Sequence, residues 1–102
     1  MLKWFKSLFS RKLVVDFAQL IRDGAKVIDV RSKAEFASGH VKGSMNIPLD
    51  QIAAKTSRFG KNDVLIVCCR SGSRSASALR ILKGKGYQNV YNAGAWMNLR
   101  NL

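Results

Sequence analysis

The chain is poor in the residues that staple, ligate or interrupt a fold: of 102 residues two are cysteine, one is histidine and one is proline. The two cysteines, Cys68 and Cys69, are neighbours, so they cannot join distant parts of the molecule, and cysteine usage gives no sign of an oxidising compartment. They cannot form a metal site by themselves either, and no metal or cofactor is expected. Long hydrophobic runs are missing too. None approaches the roughly 20 apolar residues of a membrane span. Near the N-terminus charges break the apolar stretch and no small-residue cleavage site follows it, so neither a transmembrane helix nor a signal peptide is expected and the expected location is cytoplasmic. Internal repeats and low-complexity linkers are also absent.

Acid is scarce. Six Asp and Glu stand against 18 Lys and Arg, giving a formal charge of +12, a field that concentrates anions of any kind. The cations are scattered, with only Lys3, Lys6, Arg11 and Lys12 and then Arg80, Lys83 and Lys85 in loose groups. Dense basic stripes interleaved with aromatics on a known module, the mark of a nucleic-acid binder, are not found, so no specific nucleic-acid partner is expected. With 47% hydrophobic residues the chain has the composition of one globular domain.

Strand and helix patterns alternate along it. Lys12 to Val15 reads as a short strand, Asp16 to Arg22 as a helix ended by Gly24, and Lys26 to Arg31 as a second strand. Lys33 to Ser38 reads as a short helix, Ser44 to Leu49 as a third strand, and Asp50 as the cap of a helix through about Ser57. After a polar turn over Phe59 to Asp63, Asp63 to Cys68 is the most apolar strand and therefore the central one, because a strand covered on both faces reads as a continuous hydrophobic run. Ala76, Leu79 and Leu82 recur at helical spacing, and Lys83 to Gly86 supplies the stop. Val90 to Ala93 is the last strand and Gly94 to Leu102 a terminal helix. Strands separated by helices imply a parallel sheet covered on both faces.

The chemistry gathers in Cys69-Arg70-Ser71-Gly72-Ser73-Arg74-Ser75. A thiol at the end of a buried strand, facing the free N–H groups of a helix start and two guanidinium groups, is held largely as thiolate. The same donors grip an incoming oxyanion. Two registers compete. Counted from Cys68, the string is Cys-x5-Arg ending at Arg74, the spacing of cysteine-dependent phosphatases. Counted from Cys69 the loop is shorter. Unbroken apolar character from Val64 to Cys68 favours Cys69 as the nucleophile and Cys68 as a core residue. Val67 stands where a phosphatase histidine usually precedes the nucleophile, and no carboxylate in the loop can serve as general acid.

Val27-Ile28-Asp29-Val30-Arg31, Glu35-Phe36, Gly39-His40-Val41-Lys42-Gly43-Ser44, Asn46-Ile47-Pro48-Leu49, the Cys69 loop and Gly86-Tyr87-Gln88-Asn89-Val90-Tyr91 resemble, in that order and spacing, a single-domain rhodanese over about residues 13 to 99. The resemblance implies an α/β fold with a five-stranded, mainly parallel sheet flanked by helices on both faces. It implies a sulfurtransferase that carries sulfane sulfur as a persulfide on Cys69, with Arg70, Ser71, Gly72, Ser73, Arg74 and Ser75 binding the substrate. Its expected partners are a small anionic donor such as thiosulfate and a thiophilic acceptor, either cyanide, a thiol or a thioredoxin-like protein. A rhodanese-like module that docks a partner or relays sulfur, with little turnover of small donors, is the second reading. Ala93-Gly94-Ala95-Trp96 departs from the family's usual Gly-Gly pair, which bears on how the last helix leaves the sheet and on the site's rim.

Other polar residues read as structural. His40 suits a hydrogen bond in a turn, Asp29 and Arg31 suit fixing the neighbouring loop, and Trp96 suits closing the core under the last helix. In residues 1 to 12, Leu2, Trp4, Phe5, Leu8 and Phe9 share one helical face that the cations mostly avoid. This amphipathic basic segment, set apart from a domain over residues 13 to 102, suits docking on the domain, on a second copy, or reversibly on a membrane surface.

Overall fold

The computed structural model describes residues 15–102, and the amphipathic segment therefore lies outside the described residues. Four strands form one parallel sheet: β1 (Lys26–Asp29), β2 (Met45–Asn46), β3 (Val64–Cys69) and β4 (Asn89–Ala95), in the order β2-β1-β3-β4. Three helices accompany them, α1 (Phe17–Arg22), α2 (Lys33–Ala37) and α3 (Ser73–Gly84). Parallel neighbours cannot be joined by tight hairpins, so each pair needs a crossover, which these helices and turns supply.

β3 is central as its composition demands. It pairs with β1 on one side and β4 on the other, and every residue after Val64 is buried. Because side chains alternate across a strand, its two faces feed separate cores. Leu65, Val67 and Cys69 pack with Ile28, Val30, Ile52, Phe59, Tyr87, Val90 and the Ala78 and Leu82 stripe of α3. Ile66 and Cys68 pack on the opposite face with Val27, Val41, Ala93 and Leu99, against Phe17, Leu20 and Ile21 of α1 and against Trp96. The adjacent cysteines thus belong to different layers.

The α/β class agrees with the sequence reading, while several elements differ in extent. The expected strand Lys12 to Val15 falls outside the described residues except for Val15, which is not in a strand, so the described sheet has four strands rather than five. The helix expected from Asp50 to Ser57 is a single 3-10 turn, Leu49–Gln51, followed by further turns. The Thr56 carbonyl there accepts both the Phe59 N–H and the hydroxyl of buried Tyr87, which fixes the end of the segment in turns. Asp50 accordingly lies inside the turn and caps nothing, Pro48 standing at the cap position. β4 runs two residues beyond Ala93, and the expected terminal helix is another 3-10 turn, Trp96–Leu99. Between Val67 and Cys68 the pairing with β4 shifts by one, Val67 facing Asn92 and Cys68 facing Gly94. Such a bulge bends the strand and redirects the side chains beside it.

Candidate active site

The site forms where β3 gives way to α3. Cys69 ends the strand, Arg70 and Ser71 turn outward, and Gly72 enters the N-cap position of α3 with φ of +109°. That dihedral is open to glycine and strained for other residues. Gly72 has no side chain to cap the helix, and the Cys69 sulfur takes that place: Sγ accepts the Gly72 N–H at 2.9 Å and the Ser75 N–H at 3.4 Å, with Ser75 Oγ also 3.4 Å away. The first N–H groups of a helix have no partner within it and carry the positive end of its dipole. Burial of Cys69 opposes its ionisation, but hydrogen bonds from the Ser75 side chain and from the N–H groups of Ser75, Gly72 and Ser71 outweigh it and hold the thiol below its ordinary range.

Cys68 has the opposite surroundings. Burial pushes its thiol up to about 12, with the Asp29 carboxylate adding to the rise and Arg31 opposing it. Facing the other layer, it is remote from the loop and does not join Arg74 in a cradle of the longer Cys-x5-Arg register.

The structure draws the expected loop residues together unequally. Ser71, Gly72 and Ser75 meet at the sulfur through N–H groups or hydroxyl. Arg70 and Ser73 are exposed beside it. Arg74 stands at the rim, but its guanidinium grips Glu35 of α2 in two parallel bonds, Nη1 to Oε1 at 2.7 Å and Nη2 to Oε2 at 3.0 Å. Glu35 also accepts the Ser32 N–H while its own N–H donates to Ser32 Oγ, a reciprocal cap at the start of α2. Arg74 first, and then the Ser32 N–H, lower the Glu35 carboxyl to about 2. An open hollow of about 400 Å³ lies beside this ion pair, lined by Val30, Ser32, Pro48, Leu49, Asp50 and Arg74.

Asp29 and Arg31 form a buried ion pair, Nη2 to Oδ2 at 2.7 Å. Arg31 also donates to the carbonyls of Glu35 and Gly39 and lies over the Trp96 ring, so the pair ties α2 and the turn after it to the sheet. His40 bonds the Phe36 carbonyl through Nδ1 at 2.8 Å and stacks on the Phe36 ring. Two participants were not singled out from the sequence: Glu35 as the partner of Arg74, and Asn92, whose Oδ1 lies 2.6 Å from Ser75 Oγ. The only signal for Asn92 is a polar residue within an otherwise apolar strand pattern. Among the described residues no cluster of three or more His, Cys, Asp or Glu could hold a metal, and no helix is long and apolar enough to cross a membrane.

Known proteins share this framework. Thiosulfate sulfurtransferase PspE of Escherichia coli is 41% identical over 69 residues, covering 66% of this chain and 66% of that protein. The putative sulfur carrier protein YrkF of Bacillus subtilis is 31% identical over 70 residues, covering 69% of this chain and 38% of the relative. The chain thus spans between about a third and two thirds of the length of these two relatives. A solved rhodanese with anions from E. coli superposes with a TM-score of 0.70 at 35% identity, covering 74% of this chain and 91% of that one. With the pattern of the rhodanese-like domain matching residues 13–98, across the whole sheet and the cysteine loop, the chain belongs to the rhodanese-like family.

Proposed function

We propose that this protein is a sulfurtransferase that moves sulfane sulfur from thiosulfate or a similar donor to a thiophilic acceptor, cyanide or a thiol, through a persulfide on Cys69. The carrying observation is the Cys69 sulfur seated at the start of α3, where it accepts the Gly72 N–H at 2.9 Å. The thiolate attacks the outer sulfur of thiosulfate, the new S–S bond forms as the bond to the sulfonate sulfur breaks, and sulfite leaves with the electron pair. Charge is conserved, one thiolate and one dianion becoming one persulfide anion and one sulfite. Cyanide then takes the outer sulfur as thiocyanate, or a thiolate takes it as a new persulfide, and the Cys69 thiolate is restored. Sulfite needs no strong general acid to depart. The step does need fixed donors where anions meet, which the loop N–H groups supply without rearrangement, while exposed Arg70 adds charge at the mouth.

Sulfur relay to a partner protein is the second reading. It is favoured by the grip of Glu35 on Arg74, which removes one cation from the small-donor site, and by the carrier name of the Bacillus subtilis relative. Steady-state turnover of thiosulfate with cyanide separates a catalyst from a carrier that loads once.

Mass spectrometry after thiosulfate treatment, with and without a reducing thiol, tests the intermediate. The wild type is expected to gain one reducible sulfur atom, and Cys69→Ser to lose both the adduct and turnover. Cys68→Ser is expected to keep the adduct while losing about 1–3 kcal/mol of stability, because a buried hydroxyl replaces a thiol without a partner. Loss of the adduct in Cys68→Ser, together with hydrolysis of a phosphate ester by the wild type, would replace this reading with the longer phosphatase register.

A further inference from the structure

Asn92 sits at the bulge of β4, on the layer that faces α3. Its Oδ1 accepts the Gly94 N–H at 2.8 Å, and since a backbone N–H only donates, that bond identifies the amide oxygen. The Ser75 hydroxyl, 2.6 Å from the same oxygen, must therefore be the donor in their bond. Ser75 Oγ is also 3.1 Å from the Gly72 carbonyl oxygen and 3.4 Å from Cys69 Sγ. One proton faces three acceptors. While it points at Asn92, the Ser75 oxygen turns a lone pair toward the sulfur, an arrangement that suits an S–H group. A Cys69 thiolate requires the proton to turn toward sulfur, leaving Asn92 Oδ1 with the Gly94 N–H alone.

We infer that Asn92 is a positioning residue that acts through the Ser75 hydroxyl, competing with the Cys69 sulfur for its proton and so setting how strongly the thiolate is held. The inference rests on the reading of Cys69 as the nucleophile. The hydroxyl only rotates and no proton enters or leaves. In the free thiolate it turns to sulfur. Once sulfur transfer has moved the negative charge to the outer sulfur, it returns to Asn92. A thiolate held less firmly is the stronger nucleophile, because nucleophilicity falls with thiol pKa. The other titratable groups acting on this sulfur are Cys68 from β3 and Arg74 from α3, with Glu35 of α2 behind Arg74. Tyr91, the titratable side chain of β4, packs in the opposite layer.

The test is the pH profile of Cys69 alkylation by iodoacetamide in the full chain, followed by peptide mass spectrometry. Asn92→Ala frees the Ser75 proton for sulfur, so its midpoint is expected to fall by about half a unit, making alkylation below the midpoint about twofold faster, a threefold gain in thiolate partly offset by its lower nucleophilicity. In a Ser75→Ala background the same substitution is expected to change nothing. A midpoint that is unchanged or raised in Asn92→Ala, or that shifts equally with and without Ser75, overturns the inference. If Asn92→Ala does not fold, Asn92→Asp serves, since it keeps an acceptor for both donors. Its carboxylate holds the proton harder, and its midpoint is expected to rise, by less in the Ser75→Ala background. Equal rises in both backgrounds overturn it. Absence of a thiosulfate-derived adduct on the wild type would refute the persulfide role separately, since alkylation reports the thiolate whether or not sulfur is carried.

Discussion

At Gly72 one residue meets two demands. The chain must turn with φ of +109°, and a Cβ built there would lie 3.4 Å from the Gly94 backbone of β4. Gly72→Ala is therefore expected to cost roughly 1–3 kcal/mol. It also shifts the N–H that reaches Cys69, so the alkylation midpoint of Cys69 is expected to rise. Chemical denaturation checks the first effect and the pH profile the second; a destabilised protein with an unmoved midpoint would show that the Gly72 N–H contributes nothing to the thiolate. The opposite placements of Cys68 and Cys69 were legible because an apolar run that ends at a polar loop sets which thiol lies at that loop and which lies in the core. Asn92 and Glu35 were not legible. Their bonds join residues 17 and 39 positions apart, and such pairings exist only once the sheet order and the bulge in β4 are set.

Among the elements, α2 is short at five residues, and its place depends on contacts at both ends. Ser32 and Glu35 close its start, Arg31 binds the Glu35 carbonyl within it and the Gly39 carbonyl beyond it, and Glu35 reaches across to Arg74 in the first turn of α3. The bridge connects α2 to the helix whose first turn donates to the Cys69 sulfur. Since Gln also serves in the capping arrangement, Glu35→Gln is expected to keep α2 while releasing Arg74. The pair is partly exposed, so the stability lost at neutral pH is expected to be below about 1 kcal/mol. Under the sulfurtransferase reading, the freed guanidinium lowers KM for thiosulfate, and an unchanged or higher KM would show that Arg74 serves only the bridge. The pH dependence has a definite sign. A carboxyl held at about 2 in the fold, below its ordinary 4.5, contributes stability that is complete above about 4.5 and lost as pH falls toward 2. Denaturation of wild type and variant between pH 6 and 2.5 is expected to show the two converging at the acid end. The helix start at Lys33 was readable, and its cap on Ser32 is local. The 3-10 turns after Pro48 and after Ala95 were not, because nothing in the local pattern marks where such a turn replaces a helix, and the end of the first segment is fixed from afar by the Tyr87 hydroxyl on the Thr56 carbonyl.

Over the whole molecule charge is lopsided, +12 in total, and half of the six acids are already engaged in ion pairs with Lys26, Arg31 and Arg74. Most of the remaining Lys and Arg in the described residues are exposed, so the surface carries a net positive field that the internal pairs do not cancel. Such a field raises the local concentration of a dianion and the frequency of its encounters with the site. It acts over a Debye length of about 10 Å at 0.1 M salt and about 3 Å at 1 M. The loop N–H groups act at contact and are insensitive to salt. Two contributions to donor capture therefore separate by ionic strength. Loading of Cys69 by thiosulfate is expected to slow several-fold between about 10 mM and 0.5 M salt, while alkylation by neutral iodoacetamide, measured at a pH where Cys69 is fully ionised, stays nearly flat. Parallel loss in both reactions would point to a salt effect on the fold or the thiolate. A flat response to thiosulfate would mean that capture depends on the contact donors alone, leaving the basic surface to serve an anionic partner other than the donor.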